Sequence, residues 1–221
     1  MMRFAALLVS TGLLLFMAPA AHAVTLITNL GQSIGTSSGL VDGRRVAVDF
    51  ITGVDASSLT SATLYIRNLD SISHTFPLQI WTNNAGVPGT LVDSFDSTFT
   101  VGANSSSYLP YTATDAGISL APNTTYWLML QKGENDSGDM FSLSPDFQIV
   151  GTGQAVDASS LFSTVSGTGR MMSDNLGAWT QGSTNNFRFS LTGITTTPEP
   201  SRLLLAATGL GACLLRRRRA F

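Results

Sequence analysis

Apolar side chains fall at every second position along Arg44–Ile51, where Val46, Val48 and Phe50 alternate with Ala47 and Asp49. A period of two puts one face of a strand in a core. The same alternation returns at Leu64 and Ile66, at Phe76, Leu78 and Ile80, and at Phe187, Phe189 and Leu191. Tyr126, Leu128 and Leu130 interleave with Trp127 and Met129, which predicts a strand buried on both faces. Shorter strands are expected at residues 24–28, 91–95, 118–120, 140–143 and 147–150.

Turn chemistry separates these runs. Asn83-Asn84-Ala85-Gly86-Val87-Pro88-Gly89 and Ala121-Pro122-Asn123-Thr124 are turns by composition. Many short strands with frequent turns predict an all-β domain, an antiparallel jelly-roll-like β-sandwich. A short helix fits residues 156–164, and the rest of 151–182 reads as loop. No repeat of solenoid length is present.

The two ends depart from this pattern. Arg3 precedes an apolar run over residues 4–17, and Ala21-His22-Ala23 supplies small residues around a cleavage point, with Ala21 and Ala23 as the recognised pair. Residues 1–23 therefore read as a signal peptide. At the other end Pro198-Glu199-Pro200 stops regular structure, because proline fixes φ and lacks an amide hydrogen. An apolar run over 203–215 follows, and then Arg216, Arg217, Arg218 and Arg219. As a helix that run spans about 20 Å against a hydrocarbon core of about 30 Å, a shortfall that snorkelling arginines reduce. A buried terminal helix is the competing reading, but four arginines straight after the last leucine suit a membrane interface better than a core. The expected organisation is a signal peptide at 1–23, an exported β-domain at 24–194, and a linker, short transmembrane helix and arginine cluster at 195–221. Both positive ends favour the cytoplasm, so the domain between them lies outside the inner membrane.

Charge changes the picture of the domain more than of the whole chain. The net charge of −2 includes the terminal arginines; between residues 24 and 197 there are six basic and thirteen acidic side chains, a net of −7. Nucleic acid and anionic lipid are poor partners for such a body. The single cysteine, Cys213, rules out an intrachain disulfide and lies within the apolar run. Leu210-Gly211-Ala212-Cys213 matches a lipoprotein signal in letters, but such signals act at the end of an N-terminal leader.

Candidate chemistry is sparse. The only histidine of the body, His74, reads as an exposed or capping residue in a turn, and no Gly-x-Ser-x-Gly elbow accompanies it. Glu134-Asn135-Asp136-Ser137-Gly138-Asp139 offers oxygen ligands for Ca²⁺ but lacks the spacing of an EF-hand, and a solvated hairpin loop is the better reading. Asp93 with Asp96, or Asp136 with Asp139, are pairs from which a glycosidase could be built. No catalytic residue, cofactor or metal is assigned. Trp81 and Trp179 are the candidates for a ligand surface, since exposed aromatic rings stack on sugars; Trp127, mid-strand among apolar neighbours, belongs to the core. Asn123-Thr124-Thr125 is a glycosylation sequon by letters alone.

Pro198-Glu199-Pro200, the short apolar helix and the terminal arginines together resemble a PEP-CTERM sorting signal. The resemblance implies a bacterial protein recognised by an exosortase, a transpeptidase-like membrane protease, in a cell that makes exopolysaccharide. Gly86-Val87-Pro88-Gly89-Thr90-Leu91-Val92 and the stretch Leu120-Ala121-Pro122-Asn123-Thr124-Thr125-Tyr126-Trp127-Leu128-Met129-Leu130 are similar to choice-of-anchor R domains over about residues 40–192. That family implies an exported β-domain and no known activity. The expectation is a non-enzymatic surface or extracellular-matrix protein, held at the inner membrane facing the periplasm before processing. An exopolysaccharide-binding module is the first alternative and a polysaccharide hydrolase the second.

Overall fold

Alternating sequence becomes extended chain wherever the structure can be read. The computed structural model describes residues 23–30, 34–39, 44–131, 145–150, 162, 171–175, 179–181 and 186–195, all within one unit, Ala23–Thr197. The described residues form strands and no helix. In chain order these are β1 (Val24–Thr28), β2 (Ile34–Gly39), β3 (Arg44–Ile51), β4 (Ser57–Asn68) and β5 (His74–Phe76). Next come β6 (Leu78–Asn84), β7 (Val87–Ser94), β8 (Phe99–Val101), β9 (Ser105–Leu120) and β10 (Thr125–Gln131). The last are β11 (Pro145–Val150), β12 (Met171–Asn175), β13 (Trp179–Gln181), β14 (Asn186–Phe187) and β15 (Phe189–Thr195).

Three antiparallel sheets result. One runs β1-β15-β4-β11-β14, with β9 also on β4 and β2 on β11. The second runs β13-β12-β3-β10-β6-β7, and β5 pairs with β8 in a small third sheet. One buried cluster takes Leu26, Leu64 and Leu191 from the first sheet, Val48, Ile80 and Leu128 from the second, and Phe76 and Phe99 from the third. Val48, Leu64, Phe76, Ile80, Leu128 and Leu191 are residues that the alternation put inward; Phe99, on β8, lies in a strand that the sequence did not indicate.

The alternation breaks where the backbone bulges. On β4 the buried positions change phase after Leu59, from Ser57 and Leu59 to Ala62, Leu64 and Ile66. Thr60 is the inserted residue: the register against β15 skips it between Gly193↔Leu59 and Thr192↔Ser61. An inserted residue flips every later side chain to the other face. Strand β9 makes the matching correction opposite, passing from Ile118↔Leu59 to Thr114↔Ser61. Asp115 supports that distortion, its carboxylate accepting from the backbone N–H of Gly117 at 2.6 Å and of Asp96 at 3.2 Å. Gly117 has φ of 145°, a conformation that side chains with a Cβ rarely adopt.

Differences from the sequence expectations have local causes. The region 151–182, read as loop apart from a short helix, contains β12, whose sequence Met-Met-Ser-Asp-Asn carries little alternation, and β13, whose three residues Trp-Thr-Gln are too few to show one. The turn after β6 is tighter than composition implied: Ala85 (φ 51°) and Gly86 (φ 89°) close it, and Pro88 and Gly89 already belong to β7. The helix expected at 156–164 lies outside the described residues except for Phe162, which is buried and stacked on Phe50 at 5.6 Å. The strand expected at 140–143, the leader and the tail also lie outside them. Among the described residues no helix is long and apolar enough to cross a membrane.

Candidate ligand-binding surface

Strand β10 lies between β3 and β6, with Trp127 directly opposite Asp49 on one side and Trp81 on the other. Its inward residues, Tyr126, Leu128 and Leu130, join the main core. Its outward residues, Trp127 and Met129, are fully buried as well and form a second apolar cluster with Ala47. A sheet face that buries a tryptophan needs a cover, and Trp81, Val87 and Trp179 pack over this one. All three tryptophans of the chain thus meet on one face of the second sheet.

Polar groups fix the indoles in place. Trp127 Nε1 donates to Asn83 Oδ1 at 3.0 Å, and the backbone N–H of Gly86 donates to the same oxygen at 3.1 Å. The hairpin turn and the buried tryptophan therefore share one acceptor. Trp81 Nε1 donates to Gln79 Oε1 at 3.0 Å. Arg45 completes the group, its guanidinium carbon 5.0 Å from the ring centre of Trp179 and 5.8 Å from that of Trp81. Both distances lie within the range of cation–π attraction.

Trp81 and Trp179, the residues that the sequence nominated, are brought together by this arrangement. Trp81 sits within β6 and Trp179 opens β13, two strands at separate places in the six-stranded sheet. Both are half-buried, while Trp127 is core as expected. Arg45 was not singled out; as an outward residue of β3 next to Val46 its only sequence signal was its parity. Half-buried indoles offer flat apolar surface, the kind of lining that a ligand with apolar faces packs against.

The other candidates fall elsewhere. His74 is fully buried, which corrects the expectation of an exposed turn residue. The loop after β4 turns back so that Asp70, also buried, meets His74 Nε2 at 2.9 Å. Asn68 closes the same loop, donating to the Ile72 carbonyl at 2.6 Å and accepting from the Asp70 N–H at 2.9 Å. Asp93 accepts from the Ser94 N–H, and Asp96 accepts from the Ala116 N–H at 3.0 Å, so the two carboxylates are engaged separately with backbone. The acidic stretch 134–139 lies outside the described residues, and among those described no group of three or more His, Cys, Asp or Glu is placed to hold a metal. A shallow open hollow lined by Gly53, Val54, Asp55, Ser57, Phe162 and Thr195 lies past the far end of β3 from Arg45.

No protein-family model matches the chain, and no curated protein matches it at a significant level.

Proposed function

We propose that the chain is an exported bacterial surface or extracellular-matrix protein, sorted through its C-terminal segment by an exosortase-type membrane protease. Its β-domain, a jelly-roll-like sandwich of the two larger sheets, serves as a structural or adhesive unit. The observation that carries the sorting reading is the order Pro198-Glu199-Pro200, apolar run, Arg216 to Arg219. Support for the sandwich comes from the one buried cluster that both sheets supply. Before processing the tail holds the domain on the periplasmic side of the inner membrane; afterwards the domain acts at the surface or in the matrix. Fractionation of cells carrying Pro198→Ala with Pro200→Ala tests this. The variant is expected to accumulate in the membrane fraction while the native chain moves outward. Equal release of both would refute the role of the motif.

A second reading is favoured by the meeting of Trp81, Trp179 and Arg45: the domain binds exopolysaccharide through this face. Loss of polysaccharide retention in Trp81→Ala and Trp179→Ala supports it, and unchanged retention removes it.

A further inference from the structure

We infer that the end of the β-domain where β15 runs out, with the exposed Val54 at its tip, is a docking surface for the membrane protease that reads Pro198-Glu199-Pro200. The inference rests on the sorting reading above and extends recognition from the motif to the folded domain beside it.

The tether between domain and motif is short. β15 ends at Thr195, and Pro198 follows three residues later. Three residues reach at most about 10 Å when fully extended. Even a 100-residue protein has a radius of gyration of about 13 Å, so a partner that grips the motif has to rest against the end of the domain.

The strand register fixes what lies at that end. Thr195 pairs with Ser57, the first residue of β4, so the chain leaves the domain beside the loop that joins β3 to β4. Gly53 and Val54 of that loop line the same shallow hollow as Ser57 and Thr195. Val54 is 78% exposed, the most of any large apolar side chain among the described residues. Val24, also exposed, opens β1 opposite Gly193, two residues before Thr195. A lone exposed valine is ordinary on a protein surface. Val54 differs in its position, at the point where the chain leaves for the motif.

The loop that carries Val54 is held firmly. The Thr52 N–H donates to the Thr124 carbonyl at 3.0 Å, and the Thr52 hydroxyl donates to the Ala121 carbonyl at 2.7 Å. That hydroxyl also accepts from the Thr124 N–H at 2.9 Å, and the Asn123 N–H donates to the Gly53 carbonyl at 2.8 Å. On the other side of Val54 the Ser57 hydroxyl donates to the Asp55 carbonyl at 3.3 Å. An apolar tip fixed in this way gives up little freedom when a partner covers it. The partner surface that fits it is an apolar recess next to the groove that takes the motif.

Pulse-chase of the full chain in cells carrying the protease, with loss of the tail read by intact mass, tests the assignment. Val54→Asp is expected to slow processing at least about fivefold, the order that partial burial of one valine supplies, and Val54→Leu to stay near the native rate. Inserting about ten Gly and Ser residues between Thr197 and Pro198 lengthens the reach to about 45 Å, so the partner no longer has to touch the domain. In that chain the effect of Val54→Asp is expected to fall below about twofold, whereas a folding defect would persist. In detergent-solubilised membranes the fivefold effect should survive, because the partner is the protease and not the bilayer. An unchanged rate in Val54→Asp, an effect that persists in the lengthened chain, or one that vanishes in detergent would overturn the inference. The sorting reading would still stand if Pro198→Ala with Pro200→Ala blocks processing. Equal processing of the native chain and that double variant would overturn the reading and the inference together.

Discussion

Replacing Asn83 should unsettle the protein from its surface. Asn83 is an exposed residue at the end of β6, yet its Oδ1 is the acceptor for the indole N–H of Trp127, a side chain with no exposure to solvent. In Asn83→Ala that buried donor loses its 3.0 Å partner. Leaving a buried polar group unsatisfied costs about 1–3 kcal/mol, and the lost bond to the Gly86 N–H in the hairpin turn adds about 1 kcal/mol. The expected total is about 2–4 kcal/mol, or a fall in Tm of about 5–15 °C for a domain of this size. Asn83→Asp keeps an acceptor in place and should cost less than about 1 kcal/mol, since hydrogen bonds to ionised acceptors are strong. The decisive comparison is the double-mutant cycle with Trp127→Phe, which removes the donor itself. Asn83→Ala should cost about 1–2 kcal/mol less in the phenylalanine background than in the native one. Urea unfolding followed by circular dichroism and by fluorescence of the remaining tryptophans measures all four corners. A destabilisation below about 0.5 kcal/mol for Asn83→Ala, or no coupling to Trp127, would refute the account of how this face is built.

Three further substitutions probe other parts of the fold. Gly117→Ala meets both a φ of 145° and a Cβ position 2.5 Å from Ser58 Oγ, so it should cost about 1–3 kcal/mol, partly relieved by Ser58→Ala. Asp70→Ala takes the carboxylate away from buried His74 and should cost about 2–5 kcal/mol in denaturant unfolding; a near-neutral effect would mean the pair does not hold the β4–β5 loop. Phe162→Ala removes a ring stacked on Phe50 and should cost about 3–5 kcal/mol.

The strands that were legible in the sequence are those whose two faces differ. β3 has the bounds that its alternation indicated, and β1 matches its short apolar segment. β10 was legible as a strand buried twice, because Trp127 and Met129 fill the positions that a solvated face would give to polar residues. β9 was recognisable only near Ile118 and Leu120, where its side chains point into the core; over much of residues 105–112 they are exposed, and Ser, Thr, Tyr and Pro leave no apolar period. The phase change at Thr60 has no signature in the letters, since a bulge is set by how β4 must meet β9 and β15 together.

The tryptophan face was half legible. Trp81 and Trp179 stood out as large rings beside turns, but their meeting depends on strands nearly a hundred residues apart joining one sheet. Arg45 became a candidate only when β3 was seen to run between the two strands that carry or adjoin those rings. His74 misled because a histidine between serine and threonine resembles a turn residue, whereas it takes an inward position on β5, as Phe76 does, and meets Asp70 from the preceding loop.

The sorting claim is tested most directly by the intact mass of the protein recovered from the cell surface and medium, with the exosortase gene present and with it deleted. The account predicts a chain ending near Pro198 to Ser201 only when the enzyme is present. A mass that still includes Arg216 to Arg219 in both strains would contradict it and make the terminus a plain membrane anchor.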